Sequence, residues 1–382
     1  MSQVALSESN QGLHIAPWLE PLWKSLDFQK FPNAILLHGQ SGIGKFAFSV
    51  ELAKALLCEN SNISLRPCNH CEACHWFSSG NHPDFISLVP ETHRKLLPHA
   101  DYQSEESPKK GKAARDDGDS ESSEKKEKKN ISIEETRQAI ENLAIGSHRG
   151  GNRVILIYPL EMLRSDSANT LLKSLEEPPA NTIFILIADR VDRVLPTIRS
   201  RCRLLTAPRP DRELGLIWLK EQLAAIDGIK INATDAEAVY DEQGGAPFSV
   251  LDSLIARHNK DDKDELTISI LASRHLLQSM AQGERINWLE VAEKIHKARY
   301  GFLLASMQRW VSDMQSVKQG GTPRYYPKHL STLQGLSNTV NASKMLQFWQ
   351  SLTQARRHEN HPLATRIQLE ALLSQYQQIF KD

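Results

Sequence analysis

The chain has 382 residues, too many for one ordinary hydrophobic core, so two or three domains are expected. Hydrophobic residues make up 40% and charged residues 24%, which excludes wholesale disorder, and 46 Lys plus Arg balance 46 Asp plus Glu. That balance excludes a large basic surface for gripping nucleic acid, though not a local patch, and makes a protein partner the first expectation.

Met1–Asn10 is polar and lacks a positively charged start followed by an apolar run, so no secretory signal is read there. No stretch approaches the roughly 18 to 20 apolar residues of a membrane helix, and the expected location is the cytoplasm, with no membrane partner. The first half alternates short β-branched runs with helical patterns, which predicts a parallel sheet covered on both faces. The predicted strands are Ala34–Leu37, Phe85–Val89, Val154–Ile157, Ile183–Ile187 and Arg203–Thr206. Their runs lack alternation, as strands buried on both sides do. Phe46, Val50, Ala53 and Leu57 recur at helical spacing, and so do Ala168, Leu171, Leu172 and Leu175.

After the first strand, Gly39-Gln40-Ser41-Gly42-Ile43-Gly44-Lys45 matches the phosphate-loop pattern G-x-x-x-x-G-K and opens a helix. In such a loop Gly39, Gly42 and Gly44 let backbone N–H groups face phosphate oxygens, and Lys45 supplies a point charge. The next position, where a Ser or Thr hydroxyl would ligate Mg²⁺, is Phe46. The end of the third strand, where a metal-binding Asp and a catalytic Glu would stand, reads Tyr158-Pro159. Phosphoryl transfer depends almost wholly on such charge stabilisation, so neither ATP hydrolysis nor Mg²⁺ binding is expected here. The glycines and Lys45 leave weak nucleotide binding open as an alternative, and the degenerate loop is read first as a rigid structural turn. Glu161 and Asp166 lie past the strand end and are read as a surface and a helix-start residue.

Cys58, Cys68, Cys71 and Cys74 have spacings that close a four-thiolate site, which points to structural Zn²⁺. An iron–sulfur cluster is the alternative, although the C-x3-C-P element of ferredoxins is missing. His70, His75 and His82 stand near enough in sequence to replace one sulfur, and Cys202 is read as a separate buried thiol. From Ser104 to Lys129 there is no Val, Ile, Leu, Met or aromatic residue, and the segment is expected to be a disordered insertion; the alternative is a tether contacting DNA or a partner, disfavoured because its acidic and basic residues cancel. Beyond Pro208-Arg209-Pro210 only helices are predicted, with apolar stripes at Leu303, Met307, Trp310 and Met314 and at Leu369, Leu372, Tyr376 and Ile379.

Asn169-Thr170-Leu171-Leu172-Lys173-Ser174-Leu175-Glu176-Glu177-Pro178-Pro179, followed by Leu195-Pro196-Thr197-Ile198-Arg199-Ser200-Arg201-Cys202, resembles the bacterial clamp-loader branch of AAA+ proteins. The resemblance runs from Pro17-Trp18-Leu19 to the final helix, apart from the charged insertion. The four-cysteine module after the loop helix and Asn81-His82-Pro83-Asp84 agree with it. It implies a RecA-like α/β module over residues 1–207 with a zinc module at 58–82 and the insertion at about 100–130. A helical lid at 208–262 and a helical collar at 263–382 would follow.

The lost metal ligands look like a non-hydrolysing subunit of the family and unlike gamma/tau. So does Gly244-Gly245-Ala246-Pro247-Phe248, which has no arginine at the start of the lid helix. The resemblance further implies that Arg201 is an arginine finger, catalytic in trans at the ATP site of a neighbouring gamma/tau subunit. Its plainer alternative is an ion pair or a helix cap, the role read for Arg199 and Arg203. The implied partners are gamma/tau and delta subunits in a hetero-pentamer, with the sliding clamp and primed DNA reached through the assembly that serves DNA polymerase III. The rival readings are an active gamma/tau-type ATPase, carried by the intact loop, and a zinc-dependent nucleic-acid-binding module.

Overall fold

The computed structural model describes residues 15–90, 94, 97, 131, 133–143, 147–163, 165–226, 231–259, 264–359 and 365–380; the charged segment 104–129 lies outside them. The chain forms two compact units, Met1–Leu214 and Gly215–Asp382. The part of the predicted lid beyond residue 214 and the predicted collar belong to the same unit.

The first unit is a parallel α/β sheet. Its strands are β1 (Ala34–His38), β2 (Phe85–Leu88), β3 (Arg153–Ile157), β4 (Thr182–Ala188) and β5 (Arg203–Thr206), in the order β2-β3-β4-β1-β5. The register pairs Leu36 with Leu186 on one side and Leu204 on the other, and Leu156 with Ile185 and Ser87. Every residue of β3 and β4 is buried, as their unbroken apolar runs require. The same expectation fails for β2 and β5. They are edge strands with one neighbour each, and β5 leaves Arg203, Leu204 and Thr206 exposed.

Helices α1 (Glu20–Lys24), α2 (Lys45–Leu57), α3 (Glu72–Ser78), α4 (Ile133–Leu143), α5 (Ser165–Glu176) and α6 (Pro196–Arg199) fill the connections, and α7 (Arg212–Ala224), which follows β5, starts in the first unit and lies mostly in the second. On one face of the sheet, Ala168, Leu171 and Leu175 of α5 share a buried cluster with Leu36, Ile155, Phe184 and Leu186. Parallel order brings the C-terminal ends of β1, β3 and β4 to one edge, so the loops after them meet although they are far apart in sequence.

The second unit is helical: α8 (Ala233–Glu242), α9 (Pro247–Asn259), α10 (Glu265–Met280), α11 (Trp288–Ile295), α12 (Tyr300–Lys318), α13 (Leu330–Thr339), α14 (Ala342–Arg357) and α15 (Thr365–Gln378). Both predicted stripes are core: Leu303, Met307, Trp310 and Met314 share one cluster with Leu369, Leu372, Tyr376 and Ile379. The Trp310 indole donates to Tyr376 Oη at 3.1 Å, and that hydroxyl donates to Met280 O at 2.8 Å, so burying both rings leaves neither polar tip orphaned. The buried Asp313 carboxylate accepts the N–H groups of Arg324, Tyr325 and Tyr326 at 2.7–3.2 Å and pins the segment after α12. Among the described residues no helix is long and apolar enough to cross a membrane.

Candidate functional site

The loop after β1 turns through three positive-φ glycines, Gly39 (φ 153), Gly42 (φ 75) and Gly44 (φ 88), and Gly44 is the N-cap of α2. At Gly39 the requirement is also steric, since a Cβ there would meet Ala207 O at 3.0 Å. The Trp18 indole donates to Ile43 O at 2.9 Å and braces the loop from behind.

Lys45 is the lysine of the phosphate pattern, but its ammonium does not stand free. It donates to Gly39 O at 3.0 Å, Gln40 O at 2.7 Å and Asp189 Oδ1 at 2.7 Å, which uses all three of its N–H groups, and the side chain is 2% exposed. The loop thus closes on its own lysine. Asp189, just past β4, escaped the sequence reading because its only signal is its place at a strand end that the sheet order sets beside β1. Burial and the Lys45 charge hold the neighbouring His38 imidazole below its ordinary value.

Beside the lysine, the two residues standing where metal donors would be are in contact with each other. The rings of Phe46 and Tyr158 lie 5.1 Å apart between centroids at 41°, and Phe46 is 4% exposed. At these two positions the chain presents a pair of packed rings, and neither side chain is a Ser, a Thr or a carboxylate.

The structure corrects the reading of Glu161 as a surface residue, while Asp166 does lie in the first turn of α5 as expected. Glu161 is half-buried, and its Oε1 accepts the N–H of Arg190. Burial pushes this carboxyl above the usual range against that hydrogen bond, and Asp189 adds repulsion. The short helical turn Leu160–Met162 folds Glu161 back toward the loop after β4, a tertiary effect that sequence position alone does not carry.

On the far side of α2 the four predicted cysteines converge. The sulfurs of Cys58, Cys68, Cys71 and Cys74 all lie within 4.8 Å of one another, with Cys58 and Cys71 at 3.9 Å, and none is in a disulfide. A tetrahedral zinc with Zn–S of about 2.3 Å places its sulfurs about 3.8 Å apart, so the cluster fits one four-thiolate ion. An iron–sulfur cluster would spread its thiolates wider. The N–H groups of Cys68, Cys71 and Cys74 each approach a sulfur at 3.4 Å, and donors so placed favour thiolate. Burial pushes the Cys58 and Cys74 thiols up. At Cys68 the N–H groups of His70 and Cys71 and the neighbouring thiols outweigh burial and bring the group down to about 6.

His70, His75 and His82 are not in the cluster, and His82 Nδ1 instead accepts the N–H of Asp84 at 3.1 Å. Cys202 stands apart and half-buried, its thiol pushed up to about 11 by burial.

A latch the sequence did not reveal joins the cysteine module to the sheet. Arg149 reaches Glu59 at 2.6 Å and Glu72 at 3.2 Å, and lies 4.3 Å over the Trp76 ring. The fully buried Asp84 holds the backbone of that loop through the N–H groups of His148 (2.8 Å) and Arg149 (3.2 Å) and the Ser147 hydroxyl (3.2 Å), with Arg153 at 3.5 Å.

Arg201 follows α6 on the surface. Its guanidinium donates to Thr197 O at 2.7 Å and pairs with Glu176 at the end of α5, and a third of the side chain remains exposed. The ion pair and helix-end contact of the plainer reading are therefore both present, within an exposed and pre-oriented group.

A family model described as DNA polymerase III, delta subunit, matches residues 17–211, just over half the chain. DNA polymerase III subunit delta' of Pseudomonas aeruginosa is 31% identical over 210 residues, covering 55% of this chain and 53% of its own. That of Escherichia coli K12 is 29% identical over 216 residues, covering 54% and 53%. The chain thus spans about half the length of the curated relatives it matches. Among solved structures, a gamma subunit-related protein of Thermotoga maritima superposes with a TM-score of 0.42 at 15% identity, covering 95% of this chain and 100% of that one. The phosphate-type loop, the cysteine module and the Arg201 segment all fall within the span matched by the family model, and the chain belongs to the DNA polymerase III delta subunit family.

Proposed function

We propose that this protein is the non-hydrolysing delta-prime subunit of a bacterial DNA polymerase III clamp loader, acting in the cytoplasm beside gamma/tau and delta subunits. The contact between Phe46 and Tyr158 carries the reading. In this chain aromatic carbon stands where a magnesium ion would need oxygen donors, and Lys45 is spent on internal acceptors. The subunit therefore acts as a rigid neighbour to subunits that bind and hydrolyse ATP.

Arg201 is its contribution to the chemistry. A guanidinium offered in trans neutralises charge growing on a transferred phosphoryl group, an effect of about 10³ to 10⁵ where such fingers act on GTPases. Its exposed position at the end of α6 suits that role, and Thr197 and Glu176 fix its direction until a neighbour's ATP replaces them. Cys58, Cys68, Cys71 and Cys74 hold a structural zinc whose loss would free the segment between α2 and α3. The helical unit divides functionally into a lid to about residue 262 and a collar from 263 that joins the hetero-pentamer, which places the sliding clamp on primed DNA.

The test is co-purification with gamma/tau and delta together with Mg–ATP turnover by the isolated chain. Incorporation into a defined assembly and no turnover alone are the expected results, and appreciable turnover by the pure chain would overturn the proposal.

A further inference from the structure

The helical unit carries a cleft of its own. Helices α8, α9 and α10 and the segment after α12 enclose about 600 Å³, the size of an ordinary small-ligand site. Three cations line it. Arg257 donates from its guanidinium to Glu242 at 3.1 Å, but its Nε is buried with no hydrogen-bond partner. Burial, against the pull of Glu242, holds this guanidinium below its ordinary value, and the positive charge of Arg274 works in the same direction.

At the rim, Lys328 lies 3.6 Å from Asp235, both exposed. With Glu242 and Asp235 so engaged, Arg274 has no carboxylate within ion-pair distance among the described residues. Two arginines within electrostatic reach of each other, one with an unspent donor, make a place where an anion relieves repulsion and satisfies hydrogen bonds together.

The opposite wall is aromatic and preformed. Tyr325 lines the cleft, its N–H is held by Asp313 at 2.9 Å, and the Arg324 guanidinium lies 5.5 Å from its ring. The buried Asp313 thus fixes the wall's backbone before any ligand arrives, so little ordering is left to binding.

We infer that this cleft binds a nucleotide-sized phosphate monoester, with the phosphate between Arg257 and Arg274 and the base beside Tyr325. An acidic peptide suits it less well, because a run of carboxylates has no ring to lay against Tyr325 and leaves the aromatic wall unused.

The experiment uses the full chain with AMP, inorganic phosphate and deca-glutamate as separate probes, read by calorimetry and by hydrogen exchange. AMP should slow exchange at 254–259 and 319–329 and bind at least roughly tenfold more tightly than phosphate alone, since only AMP has a ring for the aromatic wall. Arg274→Ala, at an exposed position, should melt like the parent and bind AMP roughly tenfold more weakly or worse. Protection confined to 39–46 would place the ligand in the phosphate-type loop and overturn the inference. So would equal affinity for AMP and phosphate, unchanged AMP binding by Arg274→Ala, or tighter binding of deca-glutamate.

Discussion

Replacing Phe46 by Thr tests the closed phosphate site from two sides at once. The phenyl ring is 4% exposed and packs 5.1 Å from the Tyr158 ring, so its removal deletes a core side chain and leaves a cavity. Buried Phe-to-Ala changes cost about 3–5 kcal/mol, of which a ring pair supplies about 0.5–1.5. In a unit of this size each kcal/mol shifts the melting temperature by roughly 2–4 °C, so calorimetry should record a fall of roughly 6–20 °C. The new hydroxyl restores one metal donor, yet β3 still ends in Tyr158-Pro159 and Lys45 still pairs with Asp189. Phosphate release from Mg–ATP should therefore stay at background. A fall of less than about 2 °C would mean that the ring is not a packing element. Turnover in the single variant would mean that Phe46 alone had silenced the site, and the reasoning from a missing carboxylate would be wrong.

Arg201→Ala should change the melting temperature little, because partly exposed pairs such as that with Glu176 contribute about 0–1 kcal/mol, while clamp- and DNA-stimulated ATPase of a reconstituted loader should fall. Arg201→Lys should not restore the rate, since an ammonium lacks the planar fork, and unaltered rates in either variant would remove Arg201 from the chemistry. Metal analysis should find zinc bound to the purified chain, and stripping it or making Cys71→Ser should lower the melting temperature; an unchanged melt would show that the cysteines hold no structural ion.

Asp84 gives a pH prediction. Burial pushes its carboxyl up, but the N–H groups of His148 and Arg149, Ser147 and Arg153 together hold it below the usual range. Its stabilisation is complete above the unfolded value of about 3.9 and is lost as pH falls through the lower folded value. Below about pH 4 the parent should lose stability more steeply than Asp84→Asn, and parallel curves would refute the latch. At neutral pH, Asp84→Ala removes the buried acceptor of the His148 and Arg149 N–H groups and a partner of Arg153, and should cost about 3–5 kcal/mol, measured by denaturant unfolding.

The strands were legible because apolar runs of four to seven residues between turn signals have few other uses, and all five predicted segments are strands with ends shifted by at most one residue. Their differing exposure was not legible. Sheet order, which makes β2 and β5 edges, is decided by crossover packing and not within any run. The cysteine site was legible for a related reason: its ligands lie within 17 positions and a short turn brings them together. The Lys45–Asp189 pair spans 144 positions, and the Arg149 contacts to Glu59 and Glu72 span 90 and 77. A lone charged residue between glycines and polar neighbours has no periodicity to betray such a partner. The burial of Glu161 was not legible because it depends on the short turn past β3 that folds it back, and that turn has no pattern of its own in the sequence.

The surviving glycines of the loop do not imply a surviving nucleotide site. Gly39 has a reason of its own, since any Cβ there would press on Ala207 O at 3.0 Å where the chain leaves β5. Gly44 starts α2 at φ 88, a backbone region in which most side chains are strained. The three acceptors around Lys45 and the Trp18 bond to Ile43 O need the loop in this shape whether or not a phosphate ever visits. The shape of the loop is therefore fixed by its own packing, independently of which residues stand at positions 46 and 158. On the proposed reading, a loop held in shape by its own contacts would let Arg201 be presented at constant geometry without a nucleotide bound to this chain.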